Sequence, residues 1–167
     1  KAVALRSVAQ VANTSLASRR IPASFIAKGC APAKRAFRLM SSGREVVFTE
    51  AAPAAVGPYS QAIKANGFLY VSGQVPLVPG TKEFNSEDVS EQAEQVMANM
   101  GAILKEAGSG FDKVIKTTIL LADMSDFAAV NAVYGKFFPV DPPARACFAV
   151  KALPLGAKVE IEAIALA

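Results

Sequence analysis

The chain has 167 residues, 52% of them hydrophobic, and carries 18 Lys and Arg against 14 Asp and Glu. This length is enough for one domain with a buried core. It contains no histidine, which excludes the commonest general base, the commonest metal ligand and every Ser-His or Cys-His nucleophile pair. The longest uncharged apolar runs are far shorter than the roughly 20 residues of a membrane-spanning helix, so no span is predicted. Cys30 and Cys147 lack metal-ligand spacing and are interpreted as free thiols in a reducing compartment.

The first 44 residues form a basic tail. They hold nine Lys and Arg and no acid, whereas residues 45–167 hold nine Lys and Arg against fourteen acids, giving net charges of +9 and −5. A segment rich in Ala, Ser and Arg without acids is typical of an organelle transit peptide; a basic disordered arm that binds an anionic partner is the alternative. The composition fits plastid and mitochondrion alike, the cleavage site stays open, and Met40 offers a start for a shorter cytosolic form.

Residues 45–167 show strand and helix patterns in turn. EVVFTE predicts a first strand and FLYVSGQV a second, from about Phe68 to Val75, in which Gly73 indicates a bulge or a close approach to the backbone. VSEQAEQVMANMGAILKEAG has helical spacing and ends at Gly108. VIKTTILLAD predicts a buried strand, a second helix begins near Asp126, and ARACFAV and KVEIEAIALA predict two closing strands.

The predicted order is ββαβαββ. Two helices on one face of a mixed sheet are the economical α+β arrangement for such an order. The other sheet face is then either wet or covered by another subunit.

The two closing strands predict a candidate site. Alternation puts Arg145 and Cys147 on one face of the first strand, and Glu160 and Glu162 on one face of the second. If the short connection ALPLGA makes an antiparallel hairpin, Arg145 lies opposite about Glu162 and Cys147 opposite about Glu160, while Ala146, Phe148 and Val150 face the helices. A cross-strand ion pair on a wet face is the plain explanation. The functional explanation is a site in which Arg145 holds a ligand carboxylate with two hydrogen bonds, and in which repulsion between Glu160 and Glu162 raises the pKa of one of them.

The stretch PARACFAVKALPLGAKVEI resembles the signature of the RidA family, also called YjgF. APAAVGPYSQA, YVSGQVPL, MGAILKEAG, KTTILLADMSDFAAVNAVY and VEIEAIA are similar to that family's successive motifs, in its order, over about residues 45–167. The resemblance implies a chorismate-mutase-like fold and a homotrimer with active sites in the clefts between subunits. It also implies hydrolysis of reactive 2-enamines and 2-imines, such as 2-aminoacrylate, 2-iminopropanoate and 2-iminobutanoate, to 2-oxo acids and ammonia. This activity protects pyridoxal-phosphate enzymes and uses no metal or organic cofactor.

Matched residue by residue, the resemblance assigns Arg145 to the substrate carboxylate and Glu160 to the attacking water. It gives the backbone of Cys147 a hydrogen bond near the reacting group. Three further residues are expected to line the pocket, from more than one subunit: Tyr59, Gly73 and Asn131. Each has a structural alternative. Tyr59 is alternatively a loop anchor packed on the core, and Gly73 a residue needed for backbone geometry. Asn131 is alternatively a helix cap or a solvent-facing side chain. Arg145 is also expected to lower the pKa of the Cys147 thiol.

Two other functions stay open. One is a noncatalytic trimer that uses the Arg145 pocket to bind a small carboxylate, which differs from the enzyme in having no need of Glu160. The other is RNA cleavage or translation inhibition, which has been attached to the family. A net charge of −5 over residues 45–167, without a basic aromatic surface, does not favour nucleic acid as a partner.

Overall fold

The structure is a computed structural model that describes residues 43–167. Almost all of the expected transit peptide, with Cys30 and Met40, lies outside these residues. Within them six strands and two α-helices follow one another: β1 (Glu45–Val47), β2 (Ala62–Ala65), β3 (Phe68–Gln74), α1 (Val89–Glu106), β4 (Val114–Leu121), α2 (Phe127–Phe137), β5 (Ala144–Ala149) and β6 (Val159–Leu166). Neither helix of this segment is long and apolar enough to cross a bilayer.

The strands form one mixed sheet in the order β1-β2-β3-β6-β4-β5. β4 and β5 run parallel, and the other neighbouring pairs are antiparallel. Helix α1 packs on β3, on β6 and on α2, so that both helices cover the same sheet face. The predicted α+β class, with two helices on one face of a mixed sheet, is confirmed.

Strand β2 is absent from the predicted order ββαβαββ, which the structure corrects. Ala62–Ala65 pairs with β3 across the dipeptide Asn66-Gly67, whose φ angles of 53° and 82° are those of a tight hairpin turn. The sequence AIKA is poor in strand formers and follows a loop rich in Pro and Gly, which concealed the strand. Asn-Gly is the signal that would have revealed it.

The closing strands do not form a hairpin, and this prediction was wrong. β4 lies between them, so that Arg145 is in register with Thr117, and Thr117 with Ala163. Helix α2 already provides the crossover that parallel pairing of β4 and β5 requires. The short stretch before β6 therefore leads to the far side of β4. The short connection between β5 and β6 suggested a hairpin and did not reveal that β4 lies between these two strands.

Helix α1 has the expected buried stripe and ends. Its N-cap Asp88 accepts hydrogen bonds from the backbone N–H groups of Ser90 (2.8 Å) and Glu91 (3.1 Å), and Gly108 follows its last turn with a φ of 70°. The apolar residues of the predicted stripe are all buried: Val89, Ala93, Val96, Met97, Met100, Ile103 and Leu104.

The sheet face opposite the helices is open in the part of the chain that the structure describes; we call it the open face. It contains a groove of about 500 Å³ that Tyr70, Thr118, Glu162 and Ile164 help to line. Phe148, expected to face the helices, lies 49% exposed. Phe148 pairs with Leu120, and Leu120 pairs with Glu160. Because paired residues on neighbouring strands share a sheet face, Phe148 lies on the open face with Glu160.

Candidate active site

Arg145 lies on the edge strand β5 and points to the helix side of the sheet. Its guanidinium donates a hydrogen bond to Oδ1 of Asn131 at 2.7 Å. Its Cζ atom lies 5.0 Å from the ring centroid of Tyr134 and 5.8 Å from that of Phe127. Within residues 43–167 no carboxylate forms an ion pair with Arg145. The cross-strand ion pair is therefore not the reason for this arginine, and its positive charge stays available to an anion.

A buried pair supports the ring beneath Arg145. The hydroxyl groups of Tyr134 and Thr117 lie 2.8 Å apart and share a hydrogen bond. Burial raises the pKa of Tyr134, against the lowering effects of the hydrogen bond and of the Arg145 charge. The phenol therefore stays neutral and presents its ring to the guanidinium, an attractive arrangement. Tyr134 and Phe127 were not among the predicted site residues, although Phe127, Asn131 and Tyr134 have the i, i+4, i+7 spacing of one helix face.

Cys147 lies two residues beyond Arg145 and is a free, half-buried thiol. Arg145 was expected to lower the pKa of this thiol, and its charge acts in that direction. Burial is the larger effect and raises the pKa above its ordinary value. A thiol that remains protonated is a weak nucleophile.

Glu160 lines a separate cavity of about 250 Å³. It projects from β6 away from the helices, because its neighbours Val159 and Ile161 are buried in the core. Burial raises the pKa of the Glu160 carboxyl, and the charge of Glu162 raises it further. The predicted repulsion between the two glutamates is present, but it is the smaller of the two causes. A carboxyl with a raised pKa in a cavity is suited to accept and release a proton.

Gly73 gives the Glu160 side chain its space. β3 bulges here, because Val71 pairs with Ala163 while Gln74 pairs with Ile161, three steps on one strand for two on the other. A Cβ atom at position 73 would overlap Oε1 of Glu160 and lie 2.9 Å from its Cδ. Gly73 does not have a positive φ. Close approach, rather than a left-handed backbone, therefore requires glycine.

Tyr59 enters the cavity from the loop between β1 and β2. Its hydroxyl accepts a hydrogen bond from the backbone N–H of Val56 at 3.3 Å, and the residue is 47% exposed, so it is not packed on the core. The buried Gln61 holds the start of this loop: its Oε1 accepts from the N–H of Thr49 at 2.7 Å, and its Nε2 donates to the carbonyl of Pro53 at 2.8 Å. Gln61 was missed, because a lone glutamine carries no pattern.

The predicted site residues therefore form two groups within the chain. Arg145, Asn131 and Cys147 lie on the helix side near the edge of the sheet. Tyr59, Gly73 and Glu160 meet in the cavity on the other side. The prediction that the guanidinium and the acid share a sheet face was wrong for a single chain, because it depended on the hairpin that does not form. Within residues 43–167 no cluster of three or more Cys, Asp or Glu is arranged to hold a metal ion.

The contact at Gly73 makes a testable prediction. Gly73→Ala should lower the free energy of unfolding by about 1 kcal/mol, the low end of the cost of overpacking, because the new methyl group displaces the carboxylate end of the flexible Glu160 side chain. In a Glu160→Ala background the same change should lower the free energy of unfolding much less. Urea unfolding of the wild type, the two single variants and the double variant would measure this difference.

Gly135→Ala is the matched control. Position 135 lies within α2 and has no atom within 4 Å of an added Cβ, so alanine there should stabilise by up to about 1 kcal/mol. A cost at Gly73 that persists without the Glu160 side chain would contradict the role given to this glycine.

Comparisons with known proteins agree with this architecture. Residues 49–167 match the model of the family described as Endoribonuclease L-PSP. The chain is 57% identical over 122 residues to Reactive Intermediate Deaminase A, chloroplastic, of Arabidopsis thaliana, covering 73% of this chain and 65% of that protein, less than two thirds of its length. It is 51% identical over 123 residues to 2-iminobutanoate/2-iminopropanoate deaminase of Mus musculus, covering 74% of this chain and 91% of that one.

A solved structure of similar fold is E. coli TdcF with bound serine. It has a TM-score of 0.70 and 39% sequence identity, with 74% of this chain and 98% of that chain covered. A family match over residues 49–167, together with relatives more than half identical, confirms the resemblance found in the motifs. The chain belongs to the Endoribonuclease L-PSP family, also known as RidA or YjgF.

Proposed function

We propose that this protein is an imine deaminase, which hydrolyses 2-imino acids to 2-oxo acids and ammonia. Relatives 48–57% identical to the chain carry the names reactive intermediate deaminase and 2-iminobutanoate/2-iminopropanoate deaminase. The observation that carries the proposal is the Glu160 carboxyl, which lies in a small cavity with a raised pKa. By removing reactive enamines and imines, such an enzyme protects pyridoxal-phosphate enzymes.

The chemistry needs one anion site and one proton acceptor. Arg145, oriented by Asn131 and by the ring of Tyr134, binds the substrate carboxylate. Glu160 takes a proton from water as the water oxygen bonds to the imine carbon, and the proton returns to nitrogen. The carbinolamine hydroxyl then passes its proton to the nitrogen, and the C–N bond breaks to release ammonia and the 2-oxo acid. Because imines hydrolyse readily, orientation and one proton relay suffice, and the backbone of Cys147 supplies a further polar contact.

The active site lies between protomers of a homotrimer. Within one chain Arg145 and Glu160 lie on opposite sheet faces, so one substrate reaches both only if a neighbouring protomer contributes one of them. Arg145 lies on an edge strand, where a neighbour can approach. The open face, with Tyr70 47% and Phe148 49% exposed, gives the neighbours an apolar surface to cover.

Small-carboxylate binding without turnover is the alternative. The bound serine in the E. coli TdcF structure favours it, because serine has the carboxylate that Arg145 would hold. The family description Endoribonuclease L-PSP suggests RNA cleavage instead. The net charge of −5 over residues 45–167 is unsuited to a phosphate backbone.

Residues 1–44 direct the protein to an organelle, in line with their acid-free composition and with the chloroplastic relative. Plastid and mitochondrion remain the two candidate destinations. Sequencing the N-terminus of the protein from isolated organelles tests this proposal. Recovery of the intact tail, and only from the cytosol, would contradict it.

Glu160→Gln distinguishes enzyme from binder. A dehydratase generates 2-aminoacrylate, and the disappearance of the intermediate is followed with and without the protein. Loss of the base should reduce turnover by at least about 10²-fold, while calorimetry should show that a 2-oxo acid still binds. Glu106→Gln, an exposed position at the end of α1, is the control and should keep full turnover. Undiminished turnover in Glu160→Gln would defeat the catalytic assignment.

The pH profile reports the raised pKa of Glu160. Because the base must be ionised, kcat/KM should rise with pH through the pKa of Glu160, above its ordinary value of 4.5. Glu162→Gln removes the nearby negative charge, so the rise should shift to lower pH. It should still lie above 4.5, since burial, the larger cause, remains. A profile that stays in place or moves to higher pH would contradict the coupling between the two glutamates.

A further inference from the structure

The Glu160 cavity is lined by both polar and apolar residues. The polar ones are Tyr59, Ser72 and Glu160, and the others are Val56, Gly73, Val75, Pro154 and Leu155. Of these side chains, the proposed proton transfer uses only the Glu160 carboxylate. The apolar residues of the lining are left without a role in the proposed hydrolysis.

Leu155 is the unusual member of this wall. Its backbone is left-handed, with a φ of 58° and a ψ of 13°. The other non-glycine residues with positive φ among residues 43–167 are Asn66 and Asp141, types that tolerate this region; leucine does not. Its side chain is 64% exposed, so the protomer's core gains little from it. A strained, exposed residue that lines a cavity is a candidate for contact with a ligand.

We propose that Leu155 determines substrate specificity, by forming the apolar wall that receives the side chain of the 2-imino acid. The inference rests on the proposed deaminase function and extends it to a substrate class. Leu155 and Glu160 line the same cavity of about 250 Å³. With the reacting carbon near Glu160, an aliphatic side chain displaces water from Val56, Val75 and Leu155. The enzyme therefore prefers aliphatic imines larger than 2-iminopropanoate.

The test compares two imines and two variants. An amino acid oxidase generates 2-iminopropanoate from alanine and 4-methyl-2-iminopentanoate from leucine, and kcat/KM is measured for each with the full-length protein. Leu155→Asn removes the apolar surface while keeping a residue that accepts a left-handed backbone. Leu155→Met is the matched control, because it keeps both the apolar character and the strain.

The wild-type protein should favour the larger imine. Leu155→Asn should reduce that preference by about 10-fold or more, because kcat/KM should fall further for the larger imine than for 2-iminopropanoate, with no loss of thermal stability. Leu155→Met should keep the preference. A preference that is unchanged in Leu155→Asn, or lost equally in both variants, would overturn the inference. It would also be overturned if Leu155→Asn disrupted subunit assembly without changing the preference between the two imines. Absence of turnover of either imine by the wild type would contradict the proposed function itself.

Discussion

The alternation of side chains along adjoining strands is the constraint on which the site depends. β4 separates β5 from β6 and keeps Arg145 in line with Thr117 and Ala163 on the helix side. Glu160 is in line with Leu120 on the other side. No rotation of a side chain moves either group through the sheet. A chain built in this way holds Arg145 and Glu160 on opposite sheet faces, and the proposed mechanism therefore requires assembly to bring them to one substrate.

Each half of the site is prepared before assembly. Arg145 is held by an amide and two aromatic rings rather than by a carboxylate, which leaves its charge unneutralised. Glu160 occupies the space left by Gly73, in surroundings that raise its pKa. The surroundings of Glu160 disfavour its charged form, which is an electrostatic cost that the fold of the single chain does not offset. Such local costs are expected where substrate supplies the missing partner.

The sequence predicted the α+β class and the α1 stripe, because long periodic segments are local signals. Its specific motifs are the source of the proposed site residues. It did not predict β2, whose four residues lack strand formers, or the insertion of β6 beside β4, which is a long-range pairing. The side-chain support of Arg145 by Tyr134 and the strain at Leu155 depend on tertiary structure. The sign of the Cys147 pKa shift depends on burial, which a neighbour in the sequence does not reveal.

We propose that Arg145 of one protomer and Glu160 of another act on the same substrate, and complementation between two inactive variants tests this. Arg145→Ala and Glu160→Gln protomers, each inactive alone, would be unfolded, mixed in equal amounts and refolded together, and turnover of 2-iminopropanoate would be measured. In random trimers each mixed assembly regains one intact site, so the mixture should show about one quarter of wild-type activity. If both residues acted within one chain, no mixed assembly would contain an intact site. Activity no higher than that of the parent variants would then contradict the account.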